Sequence, residues 1–355
     1  MADLPGATSA GQAAKGRGLG RYILVRFALI FPTVFILVTV VFFLMRVTGN
    51  PITESLGGQI SQAQLAQRIH AAGYDRNIFL QYLSYLGQLA RGDFGTTLTD
   101  NQRVFSMLAT YGAATLELVG YSMVIALLVG PALGVLAARL RDRGPDALLR
   151  VLAIITYAAP VFVIGLILKL IFGTWLGWLP VDGRLTIPDQ IQLQLDGHDG
   201  GIYLIDAIRY GGWPMVLDVI RHAVLPAVTL GLLNASIFLR LFRANLMSTL
   251  GSDYVLAARS RGVGEWRLTT RHAARPALIP ITTVLGLQIA SVLSGAVLTE
   301  TTFEWKGLGY ELSQYLQARD YVAVQGIVVL LAVVVSVANF IVDVAAGFID
   351  PRVRY

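Results

Sequence analysis

Three ionisable residues stand within long apolar runs of this sequence: Glu117, Lys169 and Asp343. A charge in hydrocarbon is costly, so each is a candidate for chemistry or for transport. Two carboxylates that approached each other could form the acid–base dyad of an intramembrane enzyme. Glu117 stands near the beginning of its run, and Asp343 near the end of a run that crosses in the same direction. Their depths therefore oppose a dyad.

Other roles for these charges follow from their positions. Lys169 lies six residues before Trp175, which is about 9 Å along a helix. Glu117 lies at a similar depth, so we expect a Glu117–Lys169 ion pair. Alternatively, Lys169 snorkels to the interface, or Glu117 contacts a transported substrate. We expect Asp343, which lies near the inner side, to pair with a cytoplasmic arginine.

Other reactive chemistries find no support in the sequence. The chain has no cysteine, which excludes disulfides, thiol catalysis and Cys-ligated zinc. Its four histidines are far apart and lack metal-binding spacing, and it has no G-x-x-x-x-G-K-[ST] phosphate-binding loop. We therefore predict no metal site and no cofactor in this chain.

The composition predicts an all-α polytopic membrane protein. The 355 residues are 55% hydrophobic and only 14% charged, with a mean hydropathy of +0.63. This leaves too little polar surface for a soluble globule of this size. Six apolar runs are long enough to cross about 30 Å of hydrocarbon as helices. They cover residues 27–45, 112–138, 148–175, 223–241, 277–299 and 321–348.

The distribution of charge orients these helices. When Arg150 and Arg240, at the inner ends of their runs, are counted with the inner side, 17 of the 28 Lys and Arg residues fall there, whereas 14 of the 22 acidic residues fall in outer segments. This bias predicts a multi-pass protein of the cytoplasmic (inner) membrane with both termini in the cytoplasm. It also accounts for the net charge of +6 without a nucleic-acid partner.

The remaining segments differ in composition. Residues 1–20 are rich in Gly, Ala and Ser and predict a disordered cytoplasmic tail; the run that follows is too long for a cleaved signal peptide. Residues 47–110 predict an outer subdomain with short helices at 62–72 and 78–89. Residues 176–221 form a second outer insertion, which is acidic and glycine-rich. The fold is therefore six transmembrane helices with two outer helical or loop insertions.

Polar side chains also occur within the apolar runs, at Asn234 in the fourth and at Gln288 and Ser291 in the fifth. Such residues allow close packing and hydrogen bonds between helices in a membrane, and this is their default role. Lining a transport pathway is the alternative.

The inner loop at residues 249–276 has the most specific pattern. Ser252 or Asp253 can cap a short helix, Gly262 can end it in a left-handed turn, and residues 265–271 can form a second helix before Pro276. Small side chains at this elbow would let another surface approach closely. We predict that it couples the chain to a partner through seven residues: Ala257, Ala258, Arg259, Gly262, Val263, Glu265 and Trp266.

This loop resembles the conserved cytoplasmic loop of ABC importer permeases, which usually reads Glu-Ala-Ala, three residues, then Gly. Here Leu256 replaces the Glu, while Ala257, Ala258 and Gly262 match. Residues 271–280 resemble the RHALRNALIP variant of the dipeptide and oligopeptide branch, with Pro276 in place of the Asn.

Further matches follow in the family's order. The outer subdomain carries GYDR at 73–76, QY at 81–82 and RGDFGTT at 91–97, which resemble LGLDRPxxxQY and RGDLGxS. Turn chemistry is the alternative explanation of these glycines. Later segments resemble ATLEL at 114–118, ETxFxWPGLG at 300–309, RDYxxVQG at 319–326 and DPRxR at 350–354. The resemblance covers residues 21–355, which we take as one importer transmembrane domain.

The resemblance implies a non-enzymatic subunit of an ATP-driven importer that carries di- or oligopeptides by alternating access. A permease of the same branch for haem, a nickel chelate or another small solute is the alternative. The implied partners are a second permease subunit, two ATP-binding subunits that hold ATP and Mg, and an external substrate-binding protein. The resemblance also implies that the seven elbow residues couple this chain to the ATP-binding subunits.

Overall fold

The computed structural model describes residues 10–47, 49–58, 60–197 and 201–349, with the side chains of 10–19, 283 and 346–349 excepted. Helices and their connections make up these residues, and the only β-type pairings among them are two isolated bridges. An all-α fold is therefore confirmed.

Five continuous helices are long and apolar enough to cross a membrane. They are α1 (Ala10–Val47), α5 (Val104–Arg139), α10 (Gly212–Leu250), α13 (Ala274–Thr302) and α15 (Tyr321–Ile349). At 39 residues, α10 extends about 58 Å, so it projects beyond roughly 30 Å of hydrocarbon. The helices of the inner and outer loops are therefore attached to rigid extensions of the spans.

The predicted third span is not one continuous helix. It consists of α6 (Gly144–Ala158) and α7 (Val161–Leu168), and a π-helical segment over Lys169–Trp175 continues α7. The chain bends by 111° between the two helices. The break lies at Ala159 and Pro160, because the residue before a proline is pushed into the extended conformation seen at Ala159.

The bent pair still connects the two ends of the bundle. At one end Asp146 contacts Arg243, near the inner end of α10. At the other end Lys169 donates to the carbonyl of Thr302, at the outer end of α13. Counted as one span, α6 and α7 bring the candidate crossing segments among the described residues to six.

Helix α1 begins earlier than the composition suggests. Residues from 10 onward are already helical, so the predicted disordered tail is wrong for residues 10–20. The rest of that prediction, residues 1–9, lies outside the described residues. Gly, Ala and Ser offer little apolar side-chain surface to bury, but alanine favours a helix that is already nucleated by the apolar run behind it.

Short helices fill the two outer segments. The first contains α2 (Pro51–Leu56), α3 (Gln62–Ala71) and α4 (Ile78–Ala90), and the second contains α8 (Ile187–Leu195) and α9 (Tyr203–Asp206), which a π-helical turn over Ala207–Gly211 connects to α10. The predicted outer helices at 62–72 and 78–89 are thus confirmed. Ser61 and Gln64 form a reciprocal capping box that fixes the start of α3.

Small residues let α10 pack closely along α5. A Cβ added at Gly130 would lie 2.7 Å from the Cβ of Phe238, and one added at Gly231 would lie 2.9 Å from the carbonyl oxygen of Ser122. Such approach increases van der Waals contact between helices in a membrane, where the hydrophobic effect does not drive association. This pair forms the centre of the bundle.

Candidate functional site

A glycine turn shapes the inner loop. Helix α11 (Asp253–Ser260) ends at Arg261, and Gly262 then has a φ of +81°. The Gly262 N–H donates to the Arg259 carbonyl at 2.9 Å, and the Val263 N–H donates to the Ala258 carbonyl at 3.3 Å. This pair of bonds is a Schellman motif, which needs a left-handed residue at the glycine position. The predicted left-handed turn is confirmed.

The second half of the loop differs from the prediction. Helix α12 (Glu265–Arg267) continues through a π-helical segment, Leu268–Ala273, directly into α13. The expected end before Pro276 is therefore wrong. Wider π-helical turns just before the proline accommodate its missing N–H, and the backbone stays helical through it. The second arm of the elbow and the fifth span consequently form one continuous helical segment, residues 265–302, which we call the rod.

One face of the elbow is anchored in the core. Val255 and Leu268 are fully buried and pack with Phe242 and Leu246 of α10. Of the predicted coupling residues, Ala258 and Val263 are half-buried against the same cluster. The other five are exposed: Ala257, Arg259, Gly262, Glu265 and Trp266. The elbow is therefore packed against the helix bundle on one face and exposed on the opposite face.

Charged contacts cross the glycine turn. Arg259 Nε and Nη2 donate to the two carboxylate oxygens of Glu265 at 2.6 and 3.1 Å. This hydrogen bonding lowers the pKa of Glu265, so the pair is complete at neutral pH and is lost only as the pH falls through that lowered pKa. Arg139, at the end of α5, stacks on Trp266 at 4.5 Å from the ring centroid. These contacts hold the two arms of the elbow in one orientation.

Glu117 is buried but has a different partner from the predicted one. Arg184 Nη2, from the second outer insertion, donates to its carboxylate at 2.5 Å. The Tyr121 hydroxyl and the Leu204 N–H also donate to it, at 2.7 and 3.0 Å. The predicted Glu117–Lys169 ion pair is therefore wrong.

Lys169 turns towards the outer loops instead. Its ammonium pairs with Asp182 and donates to the Thr302 carbonyl at 3.1 Å. Asp182 is exposed, so the long side chain of Lys169 reaches the polar side of the boundary, as the snorkelling alternative requires. Equal depth of two residues in their spans therefore does not determine whether their side chains contact each other.

Asp343 pairs with Arg26 of α1, with 3.3 Å between Nη1 and Oδ2. The predicted pairing of Asp343 with an arginine is confirmed. Glu117 and Asp343 thus have separate basic partners at opposite ends of the bundle. A carboxylate dyad between them is excluded.

The other predicted intramembrane residues occupy different environments. Asn234 is buried and donates to the Leu230 carbonyl at 3.0 Å, while its Oδ1 has no partner among the described residues. Gln288 is also buried. Ser291, in contrast, is exposed together with Leu287, Ser294 and Leu298 on one face of α13.

The structure shows a second buried carboxylate that the predicted span boundary excluded. Glu300 is fully buried because α13 runs on to Thr302. It accepts hydrogen bonds from Thr115 Oγ1 at 2.7 Å and from the N–H groups of Gly309 and Tyr310 at 2.7 and 3.0 Å. These bonds join α5, α13 and α14 (Leu308–Gln317), and we name the set the outer clasp. The ETTFEWKGLG segment was the sequence signal for it.

Glycines make the outer clasp compact. A Cβ added at Gly307 would lie 2.5 Å from a Glu300 carboxylate oxygen, and one added at Gly309 would lie 2.4 Å from the Cα of Val297. Trp305 is fully buried beside them and donates from Nε1 to the Ala114 carbonyl at 3.0 Å. The outer clasp therefore ties the outer end of the same rod that begins at the elbow.

A double-mutant cycle measures the Glu117–Arg184 pair. We expect Glu117→Gln and Arg184→Met each to destabilise the assembled complex by about 3 kcal/mol, because each leaves a buried charge unpaired. The double variant should lose clearly less than the sum. Glu117→Gln combined with Lys169→Met is the control and should be additive. Strict additivity of the first pair in thermal unfolding would contradict the contact.

Comparison with known proteins agrees with this architecture. The family described as the binding-protein-dependent transport system inner membrane component matches residues 130–355. The di/tripeptide transport system permease protein DppB of Pseudomonas aeruginosa is 37% identical over 336 residues, which cover 94% of this chain and 98% of that protein. The dipeptide transport system permease protein DppB of Escherichia coli K12 is 35% identical over 337 residues, covering 94% and 99%.

A third relative has a different named substrate. The glutathione transport system permease protein GsiC of Salmonella paratyphi A is 32% identical over 335 residues, covering 94% of this chain and 99% of that protein. The chain belongs to the family of inner membrane components of binding-protein-dependent transport systems. It is a multi-pass membrane permease subunit of an ABC importer and not an enzyme.

Proposed function

We propose that this permease carries di- or oligopeptides across the cytoplasmic membrane by alternating access, together with a second permease subunit, two ATP-binding subunits and an external substrate-binding protein. ATP and Mg are held by the ATP-binding subunits. The relatives named for dipeptides, di- and tripeptides and glutathione support a short peptide as the substrate.

The observation that carries this proposal is the rod that joins the elbow to the outer clasp. Its inner end presents exposed small and charged side chains to a partner, while Leu268 anchors it in the core. From Glu265 the chain remains helical to Thr302, close to the outer end of the bundle. Movement of the ATP-binding subunits at the elbow is therefore transmitted along α13, because a packed helix moves as a rigid body.

One face of α13 is suited to line the pathway of the transported solute. Leu287, Ser291, Ser294 and Leu298 recur at helical spacing and are all exposed. Serine gains nothing from contact with lipid chains, so a stripe of two serines flanked by two leucines suits a surface shared with the second permease and the solute. Asn234 and Gln288 are buried and act in helix packing in this conformation.

The proposed orientation has both termini and the elbow in the cytoplasm. Ser260 of α11 and Gln67 of α3 are both exposed, and the chain has no cysteine of its own. In intact cells, an impermeant thiol reagent should label Gln67→Cys and leave Ser260→Cys unlabelled until the membrane is opened. Labelling of Ser260→Cys in sealed cells would reverse the proposed topology.

Uptake by the reconstituted importer tests the substrate. Vesicles that hold the complete complex, with ATP on the elbow side and binding protein on the other, should accumulate a labelled dipeptide at least tenfold above vesicles without ATP. Unlabelled tripeptide should compete, whereas haem and a nickel chelate should not. Uptake of haem or the nickel chelate that dipeptides fail to inhibit would contradict the peptide assignment.

A further inference from the structure

A cavity of about 870 Å³ opens in the first outer segment, between the outer end of α1, α4 and the start of α15. Four arginines line it: Arg46, Arg76, Arg91 and Arg103. The only acidic residue in its lining is Asp93. Within the described part of the chain, none of the four guanidinium groups forms an ion pair. The cavity thus has an excess of positive charge that the protein itself does not neutralise.

The wall of the cavity also contains unsatisfied polar atoms. Gln325 is 6% exposed, and its Nε2 has no hydrogen-bond partner among the described residues. The hydroxyl of Tyr85 lies beside the Gln325 amide and is likewise buried, and the two groups have no hydrogen-bond partner beyond each other among the described residues. Buried donors with so few acceptors are incompletely satisfied, so a ligand that accepted hydrogen bonds from these groups would be favoured.

Side-chain contacts hold Arg46, one of the four lining arginines, in place. Arg46 Nε donates to Gln81 Oε1 at 3.0 Å, and the guanidinium stacks on Tyr74 at 4.5 Å from the ring centroid. Gln81 in turn donates to the carbonyls of Tyr74 and Arg76 at 3.1 and 2.8 Å. The segments 73–76, 81–82 and 91–97, together with Gln325, therefore build one preorganised surface.

The position of α4 indicates the source of the ligand. Tyr82 Oη lies 2.6 Å from Thr39 Oγ1, in the outer half of α1, and Tyr85 stacks on Phe42. On its other side α4 exposes large apolar side chains, with Phe79 65% and Leu83 63% exposed. A helix with tyrosines and apolar residues at the end of a span lies at the boundary between headgroups and acyl chains.

We propose that this cavity binds the phosphate group of an anionic phospholipid from the leaflet opposite the elbow. Arginine guanidinium groups bind phosphate through paired hydrogen bonds, and Gln325 and Tyr85 supply further donors. Leu80 and Phe105, which are exposed apolar residues of the cavity lining, then contact the acyl chains of the same lipid. The excess positive charge matches the headgroup of a lipid such as phosphatidylglycerol.

The test measures lipid bound to the assembled importer. Native mass spectrometry and thermal unfolding are carried out with phosphatidylglycerol, phosphatidylcholine, inorganic phosphate and a dipeptide. The pocket variant is Arg76→Gln with Arg91→Gln. The control is Arg68→Gln with Arg209→Gln, because these exposed outer arginines do not line the cavity and their loss changes the net charge equally.

We expect the control to retain phosphatidylglycerol as the unaltered complex does, and the pocket variant to bind it at least tenfold more weakly. Phosphatidylcholine should bind weakly to all three complexes. Equal retention of phosphatidylglycerol by the pocket variant would overturn the proposal. If inorganic phosphate stabilised the complex as much as the lipid does, the lipid assignment would be overturned. It would also be overturned if only the dipeptide stabilised the complex and the pocket variant lost that effect. These binding readouts do not depend on which solute the importer carries.

Discussion

Gly262→Val is expected to reduce ATP-dependent uptake by the reconstituted importer at least tenfold while the complex still assembles. At a φ of +81° a β-branched residue is strained by about 1–2 kcal/mol, although the space around Gly262 is open. The strain is relieved when the turn opens, and this breaks the Schellman bonds that set the angle between α11 and α12. Uptake and substrate-stimulated ATP hydrolysis should both be measured.

Gly264 provides a matched control two residues away. It also has open space around it, but its φ is −63° with a ψ of 147°, which valine adopts readily. Gly264→Val should therefore retain uptake. Gly262→Asn should retain much of it as well, since asparagine tolerates the left-handed region. Normal coupling in Gly262→Val would show that the turn does not transmit force.

Glu300→Gln is expected to destabilise the assembled complex by about 3 kcal/mol, with a melting temperature several degrees lower. Its carboxylate accepts three hydrogen bonds in a fully buried setting, from Thr115, Gly309 and Tyr310. An amide replaces one acceptor oxygen by a donor, which leaves at least one buried donor unsatisfied. Thermal unfolding of the purified complex measures the effect.

Glu304→Gln is the control for this variant, because Glu304 lies four residues later and is exposed. It should change the stability of the complex by no more than about 0.5 kcal/mol and so leave the melting temperature nearly unchanged. If Glu300→Gln and Glu304→Gln unfolded alike, the outer clasp would not stabilise the bundle. A loss of uptake in Glu300→Gln at unchanged stability would instead indicate a role in transmitting movement along α13.

The sequence by itself determined the features that depend on local chemistry. Long apolar runs predicted the crossing helices because hydrocarbon excludes polar backbone regardless of the neighbours. The left-handed turn at Gly262 and the helices at 62–72 and 78–89 followed from glycine geometry, capping residues and periodicity, which act within a few residues. The pairing of Asp343 with an arginine was also predictable, since many arginines lie at the ends of the spans on that side.

Only the tertiary structure decided which distant groups meet. Depth along a span left rotation about the helix axis undetermined, so Glu117 could not be matched to Arg184, which comes from a glycine-rich insertion without periodic pattern. The break at Pro160 and the continuation through Pro276 were not predictable either, because the local preference against helix in the residue before a proline applies to both positions. Glu300 and the arginine-lined cavity became visible once separate segments folded against each other, because burial and shared surfaces are properties of packing and not of any single segment.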